Sequence, residues 1–241
     1  MYKKIILILA LVSFAAASSA AEGGAVITRA KGDVKVRYGM DEAWKTASAG
    51  LKLKDIDTIL TGEGAEVTLR MPDGKIFTMG RNSILDIGDL RKIVKKELFL
   101  YLVSNKIQKI TPASKKTKLQ IGTVSVVRAE QKSETVAAPV NIQPEAHKIR
   151  EINGALALYK QQYYPNTIIK LHKVMRKYGD KDDCGRLHFY MGKSFKEMDM
   201  DGQAADSFQA AVDSYKEQKC ENSEFSGLAA EAEQELKNLN K

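Results

Sequence analysis

The chain has 241 residues, is 44% hydrophobic and 28% charged, and carries a formal net charge of +8 with only 5 prolines. That composition excludes a disordered or fibrous protein and leaves room for one large domain or two small ones. The positive charge points toward anionic partners, and its distribution along the chain narrows which ones.

The first element is a leader. Lys3 and Lys4 precede an apolar run over residues 5–17, and Ser18-Ser19-Ala20-Ala21 follow. A basic start, a short apolar core and a small-x-small end define a secretory signal peptide, with cleavage expected after Ala20 or Ala21. The run is shorter than the roughly 20 apolar residues that span a bilayer. With no cysteine near the cut, the expected product is a soluble periplasmic or secreted protein without a lipid anchor. Removing residues 1–21 takes away two lysines and no acids, which leaves a net charge of +6.

The next hundred residues read as short strands. Val34, Val36 and Tyr38 alternate with Lys35 and Arg37, and Val67, Leu69 and Met71 alternate with Thr68 and Arg70. Period two is the signature of a half-buried strand. Pro72-Asp73-Gly74 then leads into Lys75-Ile76-Phe77-Thr78-Met79, which predicts a hairpin, because Pro sets the first corner and Gly accepts the positive φ. Ile84-Leu85-Asp86-Ile87 follows. The apolar run 98–103 reads as a strand buried on both faces, and Leu119-Gln120-Ile121 with residues 123–127 closes an all-β domain, a sandwich or roll.

Several residues of this half carry a family pattern: Gly32-x-Val34, Trp44, Gly50-x-x-Leu53, Asp57-x-Ile59-x-Thr61-Gly62, Asp73-Gly74 and Asn82-Ser83-x-Leu85. Together they resemble the FecR-like domain family over roughly residues 25–127. Thr111-Pro112-Ala113 and Gly122-Thr123 resemble its second half, with a lysine-rich insert between. The chain departs from the pattern at Ile56 and Leu60, where the family has Gly and a basic residue. The resemblance implies an exported β module of the cell envelope. The signal relay known in that family needs a transmembrane helix, which this sequence does not supply, so only the module carries over.

From Glu22 to Arg128 there are 20 basic and 12 acidic side chains, whereas residues 148–241 hold 15 of each. The excess concentrates in a basic strip: Arg91, Lys92, Lys95, Lys96, Lys106, Lys109, Lys115, Lys116 and Lys118 against Glu97 alone. One reading docks this strip on anionic lipid headgroups, a wall polymer or an acidic protein. The other makes it a solvated face that blunts strand edges. Nucleic acid is disfavoured by the export signal and by the lack of interleaved stacking aromatics. Trp44, the only Trp, is expected to pack in a core or turn.

Residues 129–147, with Pro139 and Pro144 and no apolar period, read as a linker whose flexibility lets two halves engage separate surfaces. The resulting organisation is a leader (1–21), a β domain (22–128), a linker (129–147) and a helical domain (148–241). From Lys148 the apolar period becomes 3.6, with Ile149, Ile152, Leu156 and Tyr159 on one face. Pro165-Asn166 starts a second helix bearing Ile168, Leu171, Val174 and Met175. A third and fourth are expected over about 183–198 and 202–217, and Asn222-Ser223 caps a last one through Leu239.

In the second helix pair Met191, Gly192 and Phe195 precede Ala204, Phe208 and Ala211. This spacing resembles tetratricopeptide repeats, with small residues where helices cross and large ones filling the space beside them. The first pair matches more loosely, through Ala155, Leu158, Thr167, Leu171 and Val174, with Gln162-Tyr163-Tyr164 at the turn. Two repeats and a terminal helix are few for this architecture, so the array leans on a partner, a second copy of itself, or a covalent staple. Cys184 and Cys220 stand at adjacent ends of one helical hairpin and are expected to form a disulfide. The resemblance implies that a protein partner binds the face formed by Tyr159, Arg186, Phe189, Lys193 and Lys196.

No nucleophile elbow, zinc motif, phosphate loop or calcium loop is present, and Asp180, Asp182 and Asp183 suit a helix N-terminus. No catalytic residue, cofactor or metal is expected. The sequence therefore points to a non-enzymatic envelope adaptor. Its competitors are a wall- or glycan-binding module that uses the basic β domain, and a hydrolase with an unrecognised site.

Overall fold

The computed structural model describes residues 24–110, 144–179, 184–218, 220 and 225–239. The leader, the expected strands at 119–127, Thr111-Pro112-Ala113, most of the linker, Asp180–Asp183 and the Asn222-Ser223 cap lie outside the described residues.

Eight strands come first: β1 Gly24–Lys31, β2 Val34–Arg37, β3 Lys45–Thr46, β4 Lys52–Lys54, β5 Thr58–Thr61, β6 Glu66–Arg70, β7 Ile76–Met79 and β8 Ser83–Asp86. They form two antiparallel four-stranded sheets, ordered β4-β1-β6-β7 and β3-β2-β5-β8. The alternation read from the sequence sets their inner faces. Ile27, Val67, Leu69, Phe77 and Met79 of the first sheet share one core with Val34, Val36, Ile59 and Leu85 of the second. The β6–β7 hairpin closes at Pro72-Asp73-Gly74 as expected, with Arg70 opposite Ile76 and the Met71 N–H donating to the Lys75 carbonyl.

The second sheet is buried on its outer face too. All four residues of β5 are buried, because Leu60 and Ile84 pack outward against Trp44. Residues of the family pattern serve turns and sheet edges. The buried Asp57 carboxylate accepts from the Gly39 and Lys54 N–H groups at 3.0 and 2.7 Å. Thr61 Oγ1 donates to the Gly80 carbonyl and accepts from the Ser83 N–H.

A 3-10 turn at Ile87–Leu90 leads to helix α1, Lys95–Ile110. The strand expected at 98–103 is therefore corrected to helix. A six-residue apolar run does not distinguish the two by periodicity. Only Leu98 in the run is fully buried, and Phe99 and Leu100 are more than half exposed. Burial at Leu98, Tyr101, Leu102 and Asn105, three or four residues apart, is helical.

Five helices follow: α2 Pro144–Lys160, α3 Tyr164–Tyr178, α4 Arg186–Lys196, α5 Asp201–Glu217 and α6 Ser226–Leu239. Helix α2 begins at Pro144, four residues earlier than expected, because Pro is well tolerated in a first turn. The small-and-large pattern packs as its spacing requires. A Cβ on Gly192 would lie 2.7 Å from the Phe208 ring, so only Gly permits this crossing. Ala155, Leu158, Thr167, Leu171, Val174, Ala204 and Phe208 are all fully buried. Cys184 and Cys220 are joined as a disulfide, with Cα atoms 5.9 Å apart.

The two halves pack against each other through a shared helix. Helix α2 lies on β8, and its Ala157 and Leu158 belong to the sheet core while Ile152 and Ala155 belong to the helical core. Gly154 is the contact point. A Cβ there would fall well inside van der Waals range of the Ile84 carbonyl oxygen.

Two expectations follow. Gly154→Ala gains about 1 kcal/mol of helix propensity, but overpacking against an immovable strand backbone costs about 1–3 kcal/mol. The clash should win, lowering stability by up to about 2 kcal/mol in urea unfolding; a stabilised variant would refute the close contact. Reducing the Cys184–Cys220 bridge should cost about 2–4 kcal/mol, and denatured, non-reduced protein should titrate no free thiol.

Candidate functional site

The corner between α2 and α3 carries both the anchors that hold the helices to the β module and the lining of a cleft. Gln161 ends α2 against the exposed edge of β7. Its Nε2 donates to the Thr78 carbonyl at 2.7 Å, and its Oε1 accepts from the Thr78 N–H at 2.9 Å. The side-chain amide thus pairs with the strand as a neighbouring strand would, satisfying an edge that is otherwise left open. Gln162 turns the chain with a positive φ of 64°. Asn166, buried in the first turn of α3, donates through Nδ2 to the carbonyls of Asp89 and Arg91 at 2.7 and 2.8 Å. A third tie comes from Asn153 Nδ2, which donates to the Asn82 carbonyl at 2.8 Å.

Between these anchors opens a cleft of about 630 Å³. Met71, Ile87, Leu90, Ile93, Tyr163 and Pro165 give it an apolar lining, and Lys75, Arg91 and Lys92 bring cations to its walls, with Asp55 and Asp73 nearby. Tyr163 is fixed by an edge-on contact with Phe77, ring centroids 5.8 Å apart. Burial raises the pKa of the Tyr163 hydroxyl, which keeps it a neutral donor and acceptor at ordinary pH. Lys75 is paired with Asp73 and Arg91 with Glu97. The cleft combines apolar surface with a few polar groups, the make-up of a binding site. Its lining brings together no nucleophile with an adjacent base.

Beneath the cleft lies an ion cluster. Lys170 Nζ, on a side chain 6% exposed, is 2.8 Å from Asp89 Oδ2 and 3.6 Å from Asp86; Lys173 is 3.1 Å from Asp89 Oδ1. Burial alone would raise the Asp89 pKa, but Lys170 and Lys173 outweigh it and hold the carboxyl below its ordinary value. Burial likewise pulls Lys170 down, and Asp89 and Asp86 outweigh it, so its pKa lies above the usual lysine value. A second knot joins α2 to the end of α3. Glu151 Oε1 accepts from Lys177 at 2.8 Å and lies 3.1 Å from His147 Nδ1, which is 2.8 Å from the Tyr178 hydroxyl. Burial lowers the His147 pKa despite Glu151.

The residues expected to meet a protein partner are placed differently from one another. Phe189 is buried against Tyr190 and Phe208, and Tyr159 stacks between Tyr164 and Tyr190. The Arg186 guanidinium lies 5.1 Å over the Phe225 ring. Lys193 pairs with Glu231 and Glu235, and Lys196 pairs with Glu235. The two lysines of the expected partner face are thus matched by carboxylates of the chain's own α6. Trp44 is buried with Arg37 over its ring at 5.3 Å, in the packing role expected of it. Of the basic strip, Lys92, Lys95 and Lys96 are exposed; Lys106 and Lys109 belong to α1, and Lys115, Lys116 and Lys118 lie outside the described residues. Among the described residues, no three His, Cys, Asp or Glu side chains stand together to hold a metal ion.

Sequence reading missed Gln161, Asn166, Lys170 and Asp89. An alternation or a helical stripe marks apolar faces, but an amide that pairs with a strand edge 83 residues away leaves no local signal. The one available hint was a lysine at position 170 inside an otherwise apolar stripe. No protein-family model matches the chain, and no curated protein and no solved structure matches it.

The ion cluster makes a pH prediction. The contribution of Asp89 is present above the ordinary carboxylate pKa, about 3.9, and is lost as pH falls through its lower folded value. That of Lys170 is present below about 10.4 and is lost as pH climbs through its higher folded value. Asp89→Asn should cost about 3 kcal/mol at neutral pH, because it leaves the buried Lys170 cation only the more distant, half-exposed Asp86, and should flatten the acid limb of stability against pH. The double variant Asp89→Leu/Lys170→Met should recover part of that loss. Equal stability of wild type and Asp89→Asn at pH 7 would show that the cluster does not hold the interface.

Proposed function

We propose that this chain is an exported, non-enzymatic adaptor of the cell envelope that holds an extended segment of a protein partner in the cleft between its β module and its helices. The observation that carries the reading is the cleft: about 630 Å³, walled by both halves, apolar within and bearing cations. An extended segment with apolar side chains and a carboxylate suits such a lining. The rigid anchors at Gln161 and Asn166 support it, since a preformed site loses less free energy on binding than one that must be ordered. The disulfide fits an oxidising compartment outside the cytosol. No helix among the described residues is long and apolar enough to cross a membrane.

The family readings belong to the same proposal. Two antiparallel sheets around one core support a FecR-like module, with its pattern residues Asp57 and Thr61 bonded to the backbone of turns and strand ends. Successive helices crossing at Gly192 and Ala204 support tetratricopeptide-like repeats. With α6 occupying the face of Arg186, Lys193 and Lys196, the cleft is the better seat for a partner.

A photo-reactive amino acid placed at Lys75 or Gln162, both exposed in the cleft lining, tests the reading in the native envelope. One discrete protein adduct is expected from both positions and none from Gln209 on α5. Absence of an adduct from the cleft, or the same adduct from Gln209, overturns it.

A further inference from the structure

Helix α1 presents an outward ridge that nothing in the adaptor reading uses. Leu98, Tyr101, Leu102 and Asn105 face α3: Tyr101 stacks edge-on to His172 and Arg176 donates to Asn105 at 3.0 Å. The opposite stripe carries Phe99, Leu100 and Val103, which are 54%, 57% and 36% exposed, and Val94 before the helix is 54% exposed. These are four of the large apolar side chains that stand open on the described surface. They occur within ten residues, at helical spacing, on an element clamped from behind.

Cations surround this ridge. Lys92 and Lys96 are exposed beside it, and Lys95 is 3.7 Å from Asp199 in an exposed pair, the kind that contributes little. Glu97, the one acid of the helix, is neutralised by Arg91. A cationic helix with adjacent Phe, Leu and Val on one stripe has the make-up of an interfacial helix, whose apolar side chains enter the headgroup boundary while lysines meet anionic headgroups. The charge complement chooses the occupant, since an apolar ridge flanked by uncompensated lysines needs apolar depth below a negative surface. A single protruding helix ridge also suits insertion between headgroups, whereas a protein partner would have to supply a matching groove.

We propose that the exposed ridge of α1, Phe99, Leu100 and Val103 flanked by Lys92 and Lys96, docks this protein on an anionic phospholipid bilayer surface. This names the envelope component on which the adaptor sits. It depends on that reading only for export, because lipid binding and capture of a segment in the cleft are separate readouts.

Vesicle flotation of the chain from Glu22 onward, which keeps every described residue, tests it. The probes are phosphatidylcholine vesicles and vesicles with about a third phosphatidylglycerol. Binding is expected to the anionic vesicles and to be at least tenfold weaker to the neutral ones. Phe99→Ser/Leu100→Ser should weaken anionic binding tenfold or more with unchanged circular dichroism, since both side chains lie outside the core. Lys95→Gln/Lys96→Gln, which leaves the cleft lining untouched, should weaken it by a similar factor. In F99W the added indole emission should shift to the blue on anionic vesicles, over the constant background of buried Trp44. Failure to float with anionic vesicles overturns the proposal. So does binding that survives Phe99→Ser/Leu100→Ser, which would be charge attraction without insertion. A dimer in solution that the same double variant abolishes, without vesicle binding, assigns the ridge to a second copy and also overturns it.

Discussion

Helix α2 rests on the backbone of strand β8 with no side chain between them at Gly154, and the rest of the architecture depends on that approach. Because the helix comes so close, Ala157 and Leu158 reach the core between the two sheets, while Ile152 and Ala155 on the same helix serve the helical core. One helix therefore belongs to two cores. The outer face of the second sheet, which would otherwise expose Leu60 and Ile84, is closed by Trp44. What began as two chain segments of different periodicity becomes one body.

Such an interface brings helix side chains onto backbone polar groups of the β half, some on an open strand edge and some partly buried, and the latter need a partner. Gln161, Asn153 and Asn166 answer that need: each is an amide that reaches from a helix to the main chain of the β half. Amides suit the role because they donate and accept without carrying a charge that would have to be desolvated. The charged contact, Lys170 with Asp89 and Asp86, is worth less as attraction than as a constraint. Removing one partner leaves a buried charge, so the cluster penalises any other docking geometry. The cleft owes its fixed shape to these contacts, since both of its walls are tied within a few residues of the lining.

The helical half is also internally saturated. Its aromatic run from Tyr164 through Tyr159, Tyr190 and Phe189 to Phe208 is packed within the fold, and α6 neutralises Lys193 and Lys196. A short helical array would leave its last face open, and α6 with the Cys184–Cys220 bridge closes that end. Among the described residues, the surfaces proposed for partners are the inter-module cleft and the ridge of α1, one concave and one convex.

Much of the fold was legible in local pattern. Alternation at Val34–Val36 and Val67–Leu69, the Pro72-Asp73-Gly74 turn, the Gly192/Phe208 crossing and the pairing of the two cysteines follow from chemistry within one strand, turn or helical hairpin. The run 98–103 was misread because six apolar residues fit a strand or a helix equally, and only packing on α3 decided between them. The docking of the halves was invisible for a different reason. Gly154 could have been a mere weak point in a helix, and Gln161 and Asn166 ordinary surface amides. Their partners lie 70 to 83 residues away in sequence, and no periodicity encodes a contact at that distance. The sequence by itself thus determined the strands of the first segment up to Met79 and the helical character of the last, the covalent staple and the sign of the charge, all of which are local or compositional. The tertiary structure alone decided that the halves are one body with a cleft between them, because that depends on which backbone a single missing Cβ lets approach.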